Sequence, residues 1–314
     1  MTEPLFFIPI FQERIWGGEK LTTFGYEIPS NRTGECWAFA AHEHGQSIVK
    51  NGKYKGESLS DLWDNHRELF GNMEGDRFPL LTKILDANDD LSVQVHPDDK
   101  FANRYENGEL GKTECWYIVD CDKEAEIIFG HHAKSREQFI QLINDGKWDE
   151  LLHKVSVKPG DFFFVPSGTI HAIGKGILIL ETQQNSDTTY RVYDYGRVDS
   201  NGNKRELHIE KSIQVANIPS HQPKINPQKT TIDDLEITTF IETEFFTVHK
   251  WKLIGHVTLK QTKPFQLLSV ISGEGYIIVN NQTFSFQKGD HILLPSEFGD
   301  FVLKGESEII VSHL

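Results

Sequence analysis

The chain has 314 residues, 38% hydrophobic and 25% charged, a composition that supports two globular units, each able to bury a core. Its formal net charge of -14 argues against broad attraction to nucleic acid or an anionic membrane, so an anionic substrate needs a local basic pocket. No apolar run approaches the ~18 residues of a membrane helix, the N-terminus lacks the pattern of a secretory leader, and Cys36, Cys115 and Cys121, without CxxC spacing, read as reduced thiols of a cytoplasmic protein.

Taken in order, residues 1–57 are rich in Gly, Pro and aromatics, with strand-like runs at 36–41 and 47–50. Ser58 is a cap signal for an amphipathic helix over 58–70, ended by Gly71. Residues 78–96 read as paired strands around the polar break Asn88-Asp89-Asp90. Within 91–96, alternation sets Ser92, Gln94 and His96 on one face and Leu91, Val93 and Val95 on the other, so this strand lines something polar. Strands follow at 112–119, where Lys112, Glu114 and Trp116 share a face, and at 125–129. A helix capped by Ser135 runs over 135–152, its apolar stripe broken near Gly146.

Residues 158–171, KPGDFFFVPSGTIH, combine a Pro-Gly turn, a short apolar strand, a second turn at Pro166 and Gly168, and then His171. That order sets the His171 imidazole at the mouth of a β-barrel. A strand over 176–182 turns Ile177, Ile179 and Glu181 one way. The polar turn 183–189 leads into a strand over 190–195, on which Arg191, Tyr193 and Tyr195 share a face. Three prolines within 219–227 mark a linker. Beyond it, strand runs at 246–253, 267–271, 276–279 and 292–294 predict a second small barrel or sandwich.

This second half echoes the first. Lys288-Gly289-Asp290 precedes HILL and Pro295 as Pro159-Gly160-Asp161 precedes FFFV and Pro166, and a shift of 129 sets Glu297 against Gly168 and Asp300 against His171. Two copies of one barrel are implied, of which only the first keeps its imidazole.

Gln94, His96, Glu114 and His171 fall at strand ends or inward-facing positions of that first barrel. Two neutral imidazoles, a carboxylate and an amide oxygen suit a borderline divalent ion such as zinc, with a position left for water or substrate. Two His and one carboxylate is equally the non-haem iron pattern.

The spacing Gly160-x5-Pro166-x-Gly168-x2-His171 resembles the second motif of the cupin superfamily. Ser92-Val93-Gln94-Val95-His96-Pro97-Asp98, Gly111-Lys112-Thr113-Glu114 and residues 185–191, NSDTTYR, are similar to type I mannose-6-phosphate isomerases in their shorter bacterial form, as are Ile15-Trp16-Gly17-Gly18 and Gly34-Glu35-Cys36-Trp37. The resemblance spans about residues 5–210; the remainder matches only as a degenerate cupin barrel. It implies a mainly β fold of two cupin-type jelly-roll barrels with a few added helices: a catalytic, metal-binding unit over 1–218, a linker over 219–231, and a metal-free barrel over 232–314. It also implies one Zn2+ per chain on His96, Glu114 and His171 with Gln94 joining, Arg191 as the active-site arginine, and Lys112 as the lysine two residues before the zinc-binding Glu.

The implied reaction interconverts mannose 6-phosphate and fructose 6-phosphate: a proton leaves C2, arrives at C1, and the enediolate between them needs electrostatic stabilisation. Two bases are candidates, Lys112 with its pKa lowered by a neighbouring dication and Glu181 raised by burial. Arg191 cannot shuttle protons and is expected to polarise substrate oxygens or steer the anion. The expected partner is a small phosphosugar, with no nucleic acid or membrane, in a monomer or a homodimer. An iron-dependent cupin oxygenase and a non-catalytic sugar-binding cupin are the alternatives.

Overall fold

Runs of β-branched and aromatic residues, punctuated by Gly and Pro, assemble into two facing sheets from the first two thirds of the chain and one large sheet from the rest joined by two short N-terminal strands. The structure, a computed structural model, describes residues 3–198 and 202–314. The front barrel's six-stranded sheet runs Phe162–Val165, Glu114–Cys121, Ile177–Gln184, Leu80–Ala87, Thr33–Phe39, Ile10–Gly18. Its five-stranded partner runs Leu152–Ser156, Glu126–His131, His171–Ile173, Val93–Val95, Tyr190–Tyr193. Between them Trp16, Leu85, Trp116, Ile127, Val165, Ile173 and Ile179 form the barrel core.

The two strands expected to pair within 78–96 do not. Leu80–Ala87 belongs to one sheet and Val93–Val95 to the other, so Asn88-Asp89-Asp90 carries the chain across the barrel rather than round a hairpin. Other boundaries also move. Ser58 and Asp61 form a capping box for the helix Leu59–Asn65, after which a 3-10 turn, Arg67–Phe70, ends at Gly71 (φ 66°). The single helix over 135–152 is two, Arg136–Asn144 and Trp148–Leu151, because Gly146 at φ 65° breaks the ladder. Gln183 and Gln184 stay in a strand rather than a turn, and the strand at 190–195 stops at Tyr193, leaving Tyr195 in a left-handed conformation off its face.

The rear sheet has nine strands, with the order Gln228–Ile232, Leu235–Glu242, Thr247–Gln261, Gly299–His313, Gln266–Val279, His291–Leu294, Leu5–Ile8, Ile48–Val49, and Gln282–Gln287 hairpinned onto Gln266–Val279. Gln228–Ile232 thus begins inside the segment read as linker. The N-terminal strand is donated to this sheet, with Leu5, Phe6 and Phe7 opposite Leu293, Ile292 and His291. Three strands of 14 or 15 residues replace the shorter runs expected. Gly255, Gly305 and Gly275 face one another across those three, and a Cβ on Gly305 would meet the Glu274 carbonyl oxygen at 2.4 Å. Glycines that read as turns are the bend of long curved strands.

The outer face of the six-stranded sheet packs on the rear barrel. Phe162 stacks on Phe240 at 4.5 Å with planes 3° apart, and Leu178, Leu180 and Tyr117 share one core with Phe246, Val248 and Leu293. Each such fully buried side chain contributes roughly 1.5–3 kcal/mol. The opposite face of the front barrel is covered by Arg136–Asn144, Trp148–Leu151 and Ile209–Val215. What stays accessible is a cavity at one end of the space between the sheets.

Candidate metal centre and active site

Gln94 is the middle residue of Val93–Val95, and strand register puts it between His171 on one side and Arg191 on the other. His96 follows that strand, just before Pro97 halts the ladder. Glu114 opens Glu114–Cys121, and His171 opens His171–Ile173. Strand ends at one barrel rim therefore gather side chains from three distant segments.

His96 Nε2 lies 3.4 Å from Glu114 Oε2, and His171 Nε2 lies 3.4 Å from Glu114 Oε1. All three side chains are buried, and their ligand atoms fall within 4.8 Å of one another. Separations of this size are close to the edge of a tetrahedron with ~2.1 Å bonds to a central ion. His96 Nδ1 is 2.8 Å from the Thr188 carbonyl oxygen and His171 Nδ1 is 2.9 Å from that of Thr169. With both Nδ1–H groups donating to backbone, each ring turns an Nε2 lone pair toward the shared point. Burial, then the nearby Lys112 charge, pulls His96 down to about 3, and burial also lowers His171, so both rings are neutral. Glu114 Oε2 is buried without a hydrogen-bond partner although Lys112 Nζ is 3.1 Å away, as expected of a ligand oxygen whose partner is an ion. The donor set fits a divalent metal.

Gln94 is adjacent, but its amide nitrogen faces His171 Nε2 at 3.3 Å. Only the flipped amide would offer oxygen to the shared point.

Glu181 is buried opposite Trp116 and Lys83 in the facing sheet. Trp116 Nε1 donates to Glu181 Oε2 at 3.0 Å and to Glu114 Oε1 at 3.1 Å. Burial first, then the Glu114 charge, pushes the Glu181 carboxyl up to about 7. Burial pulls the Lys112 ammonium down, but Glu114 and Glu181 outweigh it and hold its proton more tightly than usual. The neutral amine expected of Lys112 relied on a neighbouring dication; the protein's own charges act the other way. Arg191 donates from Nε to Ser92 Oγ at 3.2 Å and from Nη1 to the Glu206 carbonyl at 2.9 Å.

These groups open onto a cavity of about 320 Å³ lined by Gln94, Lys112, Glu181 and Arg191. Sequence reasoning assigned no role to five further charged lining residues, Arg14, Glu35, Lys83, Asp187 and Arg205. Glu35 and Asp187 lie inside two of the quoted motifs, so the signal was present for those two. Arg14 pairs with Glu35 through Nε at 3.0 Å and Nη2 at 3.1 Å, and Lys83 lies 3.8 Å from Glu35 and 3.7 Å from Asp187. A larger open groove of about 870 Å³ on the rear barrel contains none of the candidate residues.

Residues 5–136 match the family model described as phosphomannose isomerase type I, catalytic domain, and residues 236–314 that of mannose-6-phosphate isomerase, cupin domain. The chain is 64% identical to mannose-6-phosphate isomerase ManA of Bacillus subtilis (strain 168), over 100% of this chain and 99% of that protein. It is 55% identical to the mannose-6-phosphate isomerase of Streptococcus mutans serotype c, over 100% and 99%. A crystal structure of mannose 6-phosphate isomerase from Bacillus subtilis matches with a TM-score of 0.98 at 51% identity, covering 100% of both chains. A Salmonella typhimurium phosphomannose isomerase variant, 17% identical, shares the fold at a TM-score of 0.80 over 99% of each chain.

Proposed function

Because the chain belongs to the type I phosphomannose isomerase family and is a mannose-6-phosphate isomerase, we propose that it works with one zinc ion held by His96, Glu114 and His171, through an enediol intermediate. The convergence of two neutral imidazoles and one carboxylate beside Glu181 and Lys112 carries this reading. When bound, the ion would supply Lewis-acid stabilisation of negative charge developing on the sugar oxygens.

Glu181 is the group we assign to proton transfer: as a carboxylate it takes the proton from C2 and returns it at C1. Meanwhile the hydroxyl on C2 gives up its proton and the oxygen on C1 gains one, so no atom is lost. A carboxyl poised at about 7 suits this task. Trp116 fixes its orientation. Lys112, kept as the ammonium by two carboxylates, donates to a sugar oxygen as charge grows there. Arg191, permanently charged, orients the anionic substrate. Such charged walls favour proton transfer over oxygen chemistry, which is the ground for preferring zinc to iron.

In the same reading residues 1–218 form the catalytic unit, 219–231 the connection and 232–314 a barrel without metal ligands. Three unpaired thiols support a cytoplasmic setting, and among the described residues no helix is long and apolar enough to cross a membrane. Metal analysis of the purified protein, paired with a coupled assay before and after chelation, tests the proposal. About one zinc per chain and chelator-sensitive turnover are expected. Fully metallated protein without isomerase activity would overturn it.

A further inference from the structure

The phosphate of the substrate still needs a partner, and with a net charge of -14 that partner has to be a local concentration of cations. Besides Lys112, which is paired with Glu114 at the metal centre, the cavity has cations at two places. On one side Arg14 and Lys83 are matched by Glu35 and Asp187, two charges against two, all within ion-pair reach. A phosphate placed there would meet both carboxylates.

The other end is different. Arg191 and Arg205 both line the cavity, and among the described residues Arg191 has no carboxylate within ion-pair distance. Arg205 Nε donates to Asp194 Oδ2 at 2.8 Å, and its Nη2 to Asp194 Oδ1. Arg197 Nη2 donates to that same Oδ1 at 2.6 Å, while its Nη1 turns away to Asp90 and Asp89. Arg197 and Arg205 thus share one buried carboxylate, and of the three guanidiniums here Arg191 and Arg205 face the cavity. Burial and then the Arg205 charge both weaken Arg191's hold on its proton, so the two cations are close enough to repel. An anion between them removes that repulsion. The register Arg191–Gln94–His171 sets this end two strand spacings, roughly 10 Å, from the metal-binding imidazole, which suits an extended six-carbon phosphosugar.

We propose that Arg205, beside Arg191, binds the substrate phosphate, and that Asp194 is the positioning residue that aims Arg205 into the cavity. This rests on the isomerase reading and adds to it the residue that selects a phosphorylated sugar. Arg205 is a specificity determinant, remote from the reacting carbons.

The test uses the zinc-loaded enzyme with mannose 6-phosphate as substrate and inorganic phosphate as competitive inhibitor. Arg205→Gln is expected to raise KM and the phosphate inhibition constant together by about 30-fold or more, with kcat within a few fold. Arg205→Lys should restore part of the loss, because the charge remains while the fork is gone. Asp194→Asn should shift the same two constants in the same direction. Arg197→Gln breaks the Asp194 cluster equally but faces away from the cavity, so the phosphate inhibition constant should stay within about twofold. That variant separates anion binding from a general loosening of the segment. An Arg205→Gln enzyme with an unchanged phosphate constant overturns the assignment, as does an Arg197→Gln enzyme with an equal shift. Wild-type enzyme that fails to turn over mannose 6-phosphate would instead sink the isomerase reading on which the assignment stands.

Discussion

Gly168 and Glu297, 129 residues apart, hold the same left-handed backbone, at φ 81° and 57°, each two residues after the proline that ends a matched strand. Gly160 and Gly289 before those strands agree more closely still, at 91° and 93°. The turn is one device used twice, but its surroundings differ. In the front copy the Gly168 N–H donates to the His96 carbonyl at 2.8 Å, and Asn217 N–H donates to Gly168 O at 2.8 Å.

A side chain at Gly168 therefore tests the turn. Its Cβ would fall 2.6 Å from Asn217 Nδ2 and 2.8 Å from the Val215 carbonyl oxygen, in a conformation that L residues resist. Gly168→Ala is expected to cost about 1–3 kcal/mol and, by displacing His171 three residues on, to loosen the metal. Thermal unfolding and metal retention on dialysis check both. A destabilised variant that keeps its metal as tightly as wild type would show that the turn does not aim the ligand.

Metal content should separate ligands from neighbours. His171→Ala or His96→Ala removes one of three donors and should leave substoichiometric zinc after dialysis, with turnover lost. Gln94→Ala, whose amide nitrogen faces the site, should weaken zinc by about 10-fold or less. Equal losses across all three would instead make Gln94 a full ligand with its amide flipped.

Glu181→Gln keeps the shape of the side chain and removes the proposed base. A fall in kcat of about 10²–10⁴-fold is expected, with KM little changed. In the proposed mechanism the Glu181 carboxylate is the working form, so kcat should rise with pH along an acid limb centred at or below about 7, since a bound cation favours ionisation. If that limb survives in the glutamine variant, the base is another group.

Stability should fall on acidification well before ordinary carboxylates titrate. Burial alone holds His291 down at about 3; burial and then His313 hold His249 at about 4. Unfolded histidine titrates near ~6.5, so below that pH the unfolded chain binds more protons. The contribution is fully present above about 6.5 and is lost as pH drops toward 4 and then 3, on the order of a few kcal/mol in all. Glu181 acts in the opposite sense, gaining stability as pH falls from about 7, and offsets one imidazole rather than several. Urea midpoints measured between pH 7.5 and 4.5 for wild type and His291→Asn decide this, the variant giving the flatter curve.

The sequence made the site more legible than the sheets. Gln94, His96, Glu114 and His171 could be read because alternation and turn residues are local signals, and the structure brings all four together at one rim. Strand partners are not local. Nothing within residues 78–96 says that one strand faces the other across a barrel instead of pairing with it, and nothing in LFFI names HILL as its neighbour. Long rear strands were missed because Gly255, Gly275 and Gly305 look like turns one at a time and become a bend only when stacked across three strands. Arg205 escaped because its only sequence context is a polar loop; its meaning comes from Asp194 and the cavity.

The pairing of Leu5, Phe6 and Phe7 with Leu293, Ile292 and His291 sets a timetable for synthesis. One edge of Leu5–Ile8 can pair with Ile48–Val49 early, but the other waits for His291–Leu294, roughly 15–60 s at ordinary elongation rates. Throughout that interval an apolar edge, LFFI, stands open on the nascent chain. Cells making this enzyme quickly must shield those few residues, and a shortage of chaperone should show first as aggregates seeded there.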